Sequence, residues 1–319
     1  MTSNMTSPRK ITLLRIAHVY YTHKDTASAA RFLDDFGFTK IEGHKSSGDG
    51  NRENDVNKTY YRGTGPEPFL YCLASGSADK FGGAAFVVAS REDLDYAAAT
   101  IPNATPVHAM NDEPGGGFRV TFLDPVDGFP FHLVYGQTPV ETHGDVPSTD
   151  RPFNYVRPAP VHKFGHFGMC VTNFSSAYAF YTSRFNFAPS DLVHDAAGRD
   201  ITTFLHLDLG STLVDHHCFF FFEGPVSHVH HSSFETYDFD TQVLGHDWLR
   251  AKGYENCWGV GRHVMGSQIF DYWFDPSRFI LEHYVDGDLV NNECKANRRL
   301  ASPDDLHVWG PDLPATFLQ

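Results

Sequence analysis

The chain has 319 residues, 41% hydrophobic and 14% aromatic, with a formal net charge of −14. That length and composition suit one large or two medium globular domains, and the acidic balance excludes a nucleic-acid-binding surface. No apolar run approaches the roughly 18 residues of a membrane helix, which excludes a helical span.

"MTSNMTSPRK" at the N-terminus has no apolar signal region, so no secretory leader is expected. Five scattered cysteines, Cys72, Cys170, Cys218, Cys257 and Cys294, form no CxxC pair, which points to a reducing cytoplasm. Any bound metal is therefore left to nitrogen and oxygen donors, and 19 histidines are available.

The first block, 11–137, opens on "RIAHVYYTHKDTASAARFLDDFGF" (15–38): an alternating strand carrying His18, a polar turn, then an amphipathic helix. "REDLDYAAATI" (91–101) predicts a second helix, and "FLDPVDGFPFHLVYG" (122–136) a strand, an Asp-Pro turn and a further strand. The Pro-rich stretch 146–163 reads as an interdomain linker. The second block, 164–290, repeats the order in "KFGHFGMCVTNFSSAYAFYTSRFNF" (163–187), "TQVLGHDWLRAKGY" (241–254) and "WFDPSRFILEHYVDG" (273–287). His18 to Phe32 and His166 to Phe180 both span 14 residues. Residues 291–319 read as a tail draped over the surface. The repeats predict an α+β fold of four β-α-β-β-β modules, paired two per domain. Each module's sheet buries its inner face by pairing with another, so that two modules curl around a shared funnel.

The chemistry concentrates in the second block. In "PVSHVHHSSFETYDFD" (225–240) strict alternation puts His231, Ser233 and Glu235 on one face and His230, Ser232 and Phe234 on the other. Pairing of the modules brings His166, His231 and Glu282 together. A glutamate inside an apolar strand is costly unless it is paired or bound to metal. Two histidines and one carboxylate suit non-haem Fe(II) and leave neighbouring coordination sites open. The first block is an internal control: His231 falls opposite Gly83, Glu282 opposite Phe131 or His132, and only His18 keeps a counterpart, in His166. In "FFFF" (219–222) two rings are expected in the core, and the other two are available to wall the funnel.

The ordered set "HVHHSSF" (228–234), "GVGRHVMGSQIFDYWFDP" (259–276) and "LEHY" (281–284) resembles the type I extradiol catechol dioxygenases of the vicinal oxygen chelate superfamily. Their second domain carries a His-His strand, a Gly-Arg-His segment, a tyrosine, and an Asp-Pro turn before a ligand glutamate. The resemblance implies the vicinal oxygen chelate fold and selects His231 over His230 as the ligand. His263 follows 32 residues on, Tyr272 nine further and Glu282 ten further. His217 stands 14 residues before His231, where relatives carry a catalytic histidine, with His216 beside it if the register shifts by one.

Implied by the same resemblance is an enzyme that inserts both atoms of O2 into a catechol beside its diol. It would use Fe(II) on His166, His231 and Glu282, a set that also accepts Mn(II). His217 would serve as acid–base group, Tyr272 would hydrogen-bond the catecholate, and His263 would act near substrate or oxygen. The partners would be a catechol and O2, and the assembly a homo-oligomer. Trp258 stands where some relatives acting on carboxylated catechols carry arginine, which implies a neutral or bulky substrate. Two other readings are a 4-hydroxyphenylpyruvate dioxygenase-like or glyoxalase-like metalloenzyme and a non-catalytic aromatic-binding protein. The His217–His263–Tyr272 set speaks against the first, and the intact ligand set against the second.

Overall fold

A computed structural model describes residues 9–43, 57–142, 156–302 and 306–317. The first module comprises β1 (Leu13–His23), α1 (Thr26–Phe36), β2 (Thr39–Lys40), β3 (Lys58–Arg62) and β4 (Tyr71–Ser75). The second comprises β5 (Lys80–Val88), α2 (Arg91–Thr100), β6 (His108–Ala109), β7 (Phe118–Leu123) and β8 (Pro130–Tyr135). The third holds β9 (Lys163–Val171), α3 (Phe174–Arg184), β10 (Phe187–His194), β11 (Asp200–Leu207), the short β12 (Val214–Asp215) and β13 (Phe219–Glu223). The fourth holds β14 (His228–Glu235), α4 (Phe239–Ala251), β15 (Asn256–His263), β16 (Ile269–Phe274) and β17 (Ile280–Val285). Three short strands follow: β18 (Leu289–Val290), β19 (Asn297–Leu300) and β20 (His307–Trp309).

All four helices begin the same way, directly after the first strand of a module. Asp25, Ser90, Asn173 and Asp238 each accept a hydrogen bond from the backbone N–H three residues on. These caps satisfy donors that a helix start leaves orphaned, and they stop the strand at a fixed point.

The first sheet runs β2-β3-β4-β1-β5-β8-β7-β6, and the second repeats it as β10-β11-β13-β9-β14-β17-β16-β15, with β19 and β20 added at its two ends. The expected modules and their pairing are therefore present. One continuous core joins the helices to one face of both sheets, with Phe86 and Phe131 of the first packed on Phe167 and Phe219 of the second. The Phe run divides as expected: Phe219 and Phe221 enter this core, while Phe220 and Phe222 face a cavity on the other side of the sheet.

Two sequence expectations need correction. The expected linker lies outside the described residues only as far as 155. Its final part is built into the fold, because Ala159 and Val161 are buried and the Val161 N–H donates to the carbonyl of Gly37. A Cβ on Gly37, at φ +110, would fall 1.8 Å from the Ala159 carbonyl oxygen, so the close crossing requires glycine. The tail is likewise no mere surface drape: β19 pairs with β10, β20 with β15, and Phe317 is buried. Among the described residues no helix is long and apolar enough to cross a membrane.

Candidate metal centre

Three adjacent strands at the middle of the second sheet carry the cluster. In the ladders, His166 of β9 pairs with Ser233 of β14, and Ser233 pairs with Glu282 of β17. His231, two residues before Ser233, projects from the same face. His166 Nε2 lies 3.2 Å from His231 Nε2, and Glu282 Oε2 lies 3.0 Å from the first and 3.3 Å from the second. All three residues are buried, Glu282 completely. Burial alone would raise the Glu282 carboxyl, but the two imidazoles hold it well below the usual carboxylate range. It touches both rings, yet neither of its oxygens has a well-aligned hydrogen-bond partner among the described residues.

His230 breaks the strict alternation expected of β14. The β9–β14 ladder shifts register between Val229 and His231, and this bulge turns His230 toward the cavity as well. Ser232 and Phe234 keep their predicted face, where Ser232 meets the Tyr21 hydroxyl at 2.8 Å and Phe234 packs on Phe36. His230 then acts on its neighbour. Its Nε2 lies 2.5 Å from the Phe317 carbonyl oxygen, which only accepts, so Nε2 carries the proton. Burial keeps the ring neutral by pulling it down to about 3. Its Nδ1 is therefore bare and accepts, across 2.7 Å, from His231 Nδ1–H. That leaves the His231 Nε2 lone pair pointing at His166 and Glu282, the orienting arrangement typical of metal-binding imidazoles.

Two imidazole nitrogens and a carboxylate oxygen converging at 3.0–3.3 Å need a cation or protons between them. Two ligands about 2.1 Å from an ion on adjacent octahedral positions stand roughly 3 Å apart, so the three edges fit one face of such a sphere. The donors present thus fit a divalent transition metal.

His217 packs on His166, with ring centroids 4.2 Å apart, and lines the cavity. Burial, reinforced by His166 and His216, pushes it well below the ordinary imidazole value. His216 does not face this cavity; it stands behind His217. Tyr272, paired with Glu282 across β16 and β17, meets His263 Nε2 at 2.8 Å. His263 Nδ1 in turn donates to the Leu306 carbonyl oxygen, so the Tyr272 hydroxyl is the donor to His263 and keeps its oxygen lone pairs for a ligand. The structure therefore brings together every site residue read from the sequence. It also turns His230, expected on the opposite face, toward the cavity, and adds the tail carbonyls of Leu306 and Phe317, which no local sequence signal marks.

The cavity has a volume of about 810 Å³. Phe204, Phe220, Phe222, Val193, Ile201 and Leu300 give it apolar walls, and Trp258 and Phe317 close the end beside Tyr272. Among its described lining residues, Arg299 is the only Lys or Arg.

Residues 163–282 match the Glyoxalase/Bleomycin resistance protein/Dioxygenase superfamily. The chain is 31% identical over 121 residues to metapyrocatechase 2 of Cupriavidus necator, covering 38% of this chain and 37% of that protein. It is 29% identical over 202 residues to the biphenyl-2,3-diol 1,2-dioxygenase of Paraburkholderia xenovorans, covering 60% and 61% respectively. The matches thus span less than two thirds of either relative. Homoprotocatechuate 2,3-dioxygenase from Arthrobacter globiformis superposes with a TM-score of 0.79 at 19% identity, over 99% of this chain and 94% of that one. That likeness shows a shared fold across both halves, the paired-module vicinal oxygen chelate fold.

Proposed function

Because residues 163–282 form a domain of the glyoxalase/bleomycin resistance/dioxygenase superfamily, we propose that the chain is an extradiol ring-cleaving dioxygenase, with Fe(II) held by His166, His231 and Glu282. The observation that carries this reading is the buried cluster of two imidazole nitrogens and one carboxylate oxygen converging within 3.0–3.3 Å of one another. Around it stand His217 and the Tyr272–His263 pair. A ferrous ion there supplies a Lewis acid for an adjacent diol and an electron donor for O2.

The chain's own residues do the rest. His217, kept neutral by burial, takes a proton from a substrate hydroxyl and can return it later. Tyr272 receives a hydrogen bond from the diol on oxygen lone pairs that its own donation to His263 leaves free. The phenylalanine walls and the tail exclude water, which strengthens each of these polar contacts. The substrate is a neutral catechol with a bulky apolar substituent. The cavity far exceeds a single ring in size, Trp258 offers no charge to a carboxylate, and Arg299, the one Lys or Arg on its described lining, already faces the Asp191 carboxylate at 3.7 Å.

The test is to purify the chain anaerobically, load it with Fe(II), and supply 3-phenylcatechol, 4-methylcatechol or homoprotocatechuate in air. Oxygen uptake with a yellow product from the first two, and weaker turnover of the acid, is expected. Iron binding without oxygen uptake on any diol overturns the activity. A clear preference for homoprotocatechuate overturns the substrate class.

A further inference from the structure

A second group of buried polar residues lies behind the funnel. His216 precedes His217 and is buried with it. Its Nδ1 faces His217 Nδ1 at 3.2 Å, and its Nε2 lies 2.9 Å from Asp191 Oδ2. Asp191 sits on β10, 1% exposed, where a carboxylate without partners is costly. The β10–β11 ladder shifts register between Pro189 and Asp191, and this irregularity aims two consecutive side chains at His216. Asp191 takes the ring, and the Ser190 hydroxyl donates to the His216 carbonyl oxygen at 2.5 Å. Gly266 completes the seat, since a Cβ there would stand 2.8 Å from His216 Nδ1. A separate polar cavity of about 330 Å³, lined by Ser190, Asp191, His206, His216 and Arg299, opens on the outer side of this group.

We propose that Asp191, acting through His216, fixes which nitrogen of His217 carries the proton. A carboxylate only accepts, so Asp191 holds the His216 proton on Nε2. A singly protonated His216 then has a bare Nδ1, and the one proton between the Nδ1 atoms, which face each other at 3.2 Å, belongs to His217. His217 Nε2 is then unprotonated and free to act as a base. The design duplicates that of the ligand pair, where Phe317 O, His230 and His231 stand in the same order and leave Nε2 of His231 bare. Two adjacent His-His pairs are thus each set by an outer acceptor, one for a donor atom and one for a base. Asp191 and His216 are positioning residues, and their catalytic relevance rests on the acid–base role proposed for His217.

Asp191→Asn reverses the chain. Arg299 Nη2, 3.7 Å from Asp191 Oδ1, favours the carboxamide oxygen on its side and so turns the NH2 toward His216. His216 would then accept at Nε2 and donate from Nδ1, which moves the His217 proton to Nε2. Imidazole 15N shifts of the zinc-substituted, 15N-histidine-labelled protein read these tautomers directly. The wild type is expected to show His217 protonated at Nδ1 and bare at Nε2, and Asp191→Asn the reverse. In the iron-loaded variant kcat on 3-phenylcatechol should fall on the order of 10²-fold, with iron content and KM unchanged. A wild-type His217 protonated at Nε2, or a variant with an unaltered tautomer, overturns the proposal. Full kcat in His217→Ala would instead overturn the acid–base reading and leave the tautomer assignment standing.

Discussion

His18, Ala85 and His132 lie abreast in the first sheet as His166, Ser233 and Glu282 do in the second. Counting from these ladders, Gly83 occupies the position of His231, and His132 that of Glu282. Tyr20 stands where the second half has Gly168. The last exchange is the most instructive. A Cβ on Gly168 would meet the Phe220 ring at 1.9 Å, so glycine there lets that ring wall the funnel. In the first half the Tyr20 side chain fills the corresponding interior instead. Its hydroxyl lies 3.0 Å from His18 Nε2 and donates to Glu113 at 2.6 Å, and Arg119 pairs with Glu113 at 2.9 Å. The same scaffold thus closes around a protein side chain in one half and keeps about 810 Å³ open in the other.

The comparison breaks most visibly at the ligands. Glu282→Ala should reduce bound iron from one per chain to near none and abolish ring cleavage, because one of three donors and the only charge in the set are lost. His132→Ala, the matching change in the first half, should leave iron content and turnover unaltered. Equal iron in Glu282→Ala and wild type, measured by metal analysis, would remove Glu282 from the ligand set. A step smaller, His217→Ala should keep its iron and lose turnover on the order of 10²- to 10³-fold. Iron loss in that variant would move His217 from acid–base group to ligand.

The first half should respond in stability instead. Tyr20→Phe deletes the hydroxyl that joins His18 to Glu113 and strands buried polar atoms, at about 1–3 kcal/mol. Thermal unfolding should register the loss, while kcat of the iron-loaded protein stays at the wild-type value. A Tyr20→Phe protein with normal stability and reduced kcat would show that the first half carries a chemical role.

How far all this was legible in the sequence depends on range. The modules and the triad could be read because strand alternation is local and the repeat supplies the pairing. The His18–His166 correspondence and the Glu282 strand follow from spacing alone. Placing both His230 and His231 in the funnel could not be read, because it depends on a bulge created by the match of β14 to β9, 65 residues away from His231 at His166. Asp191 was invisible for a similar reason. A lone acid in "FAPSDLVH" has the look of an exposed strand residue until β10, the His216 segment and Arg299 of the tail meet. The tail's carbonyls carry no side-chain signature at all, yet they fix two imidazoles.

The smallest predicted effect concerns acid. Burial would raise Glu113, but Arg119 and Lys58 outweigh it and bring the carboxyl to about 2. Burial lowers His18 to about 3 and His132 to about 4. In every case the unfolded chain binds the proton first. Glu113 therefore contributes stability above the ordinary carboxyl value of 4.5 and loses it as pH falls toward 2. The two histidines are held neutral where the unfolded chain would charge them, so stability also falls as pH drops from 6.5 toward 4 and then 3. The three effects share a sign, and the filled half should weaken steadily below neutrality. Glu113→Gln removes the carboxyl's part. Its melting temperature should start lower than wild type at pH 7 and decline less steeply between pH 5 and 3. Parallel curves for the two proteins would mean that Glu113 titrates alike folded and unfolded, and would leave the acid sensitivity of the first half to His18 and His132.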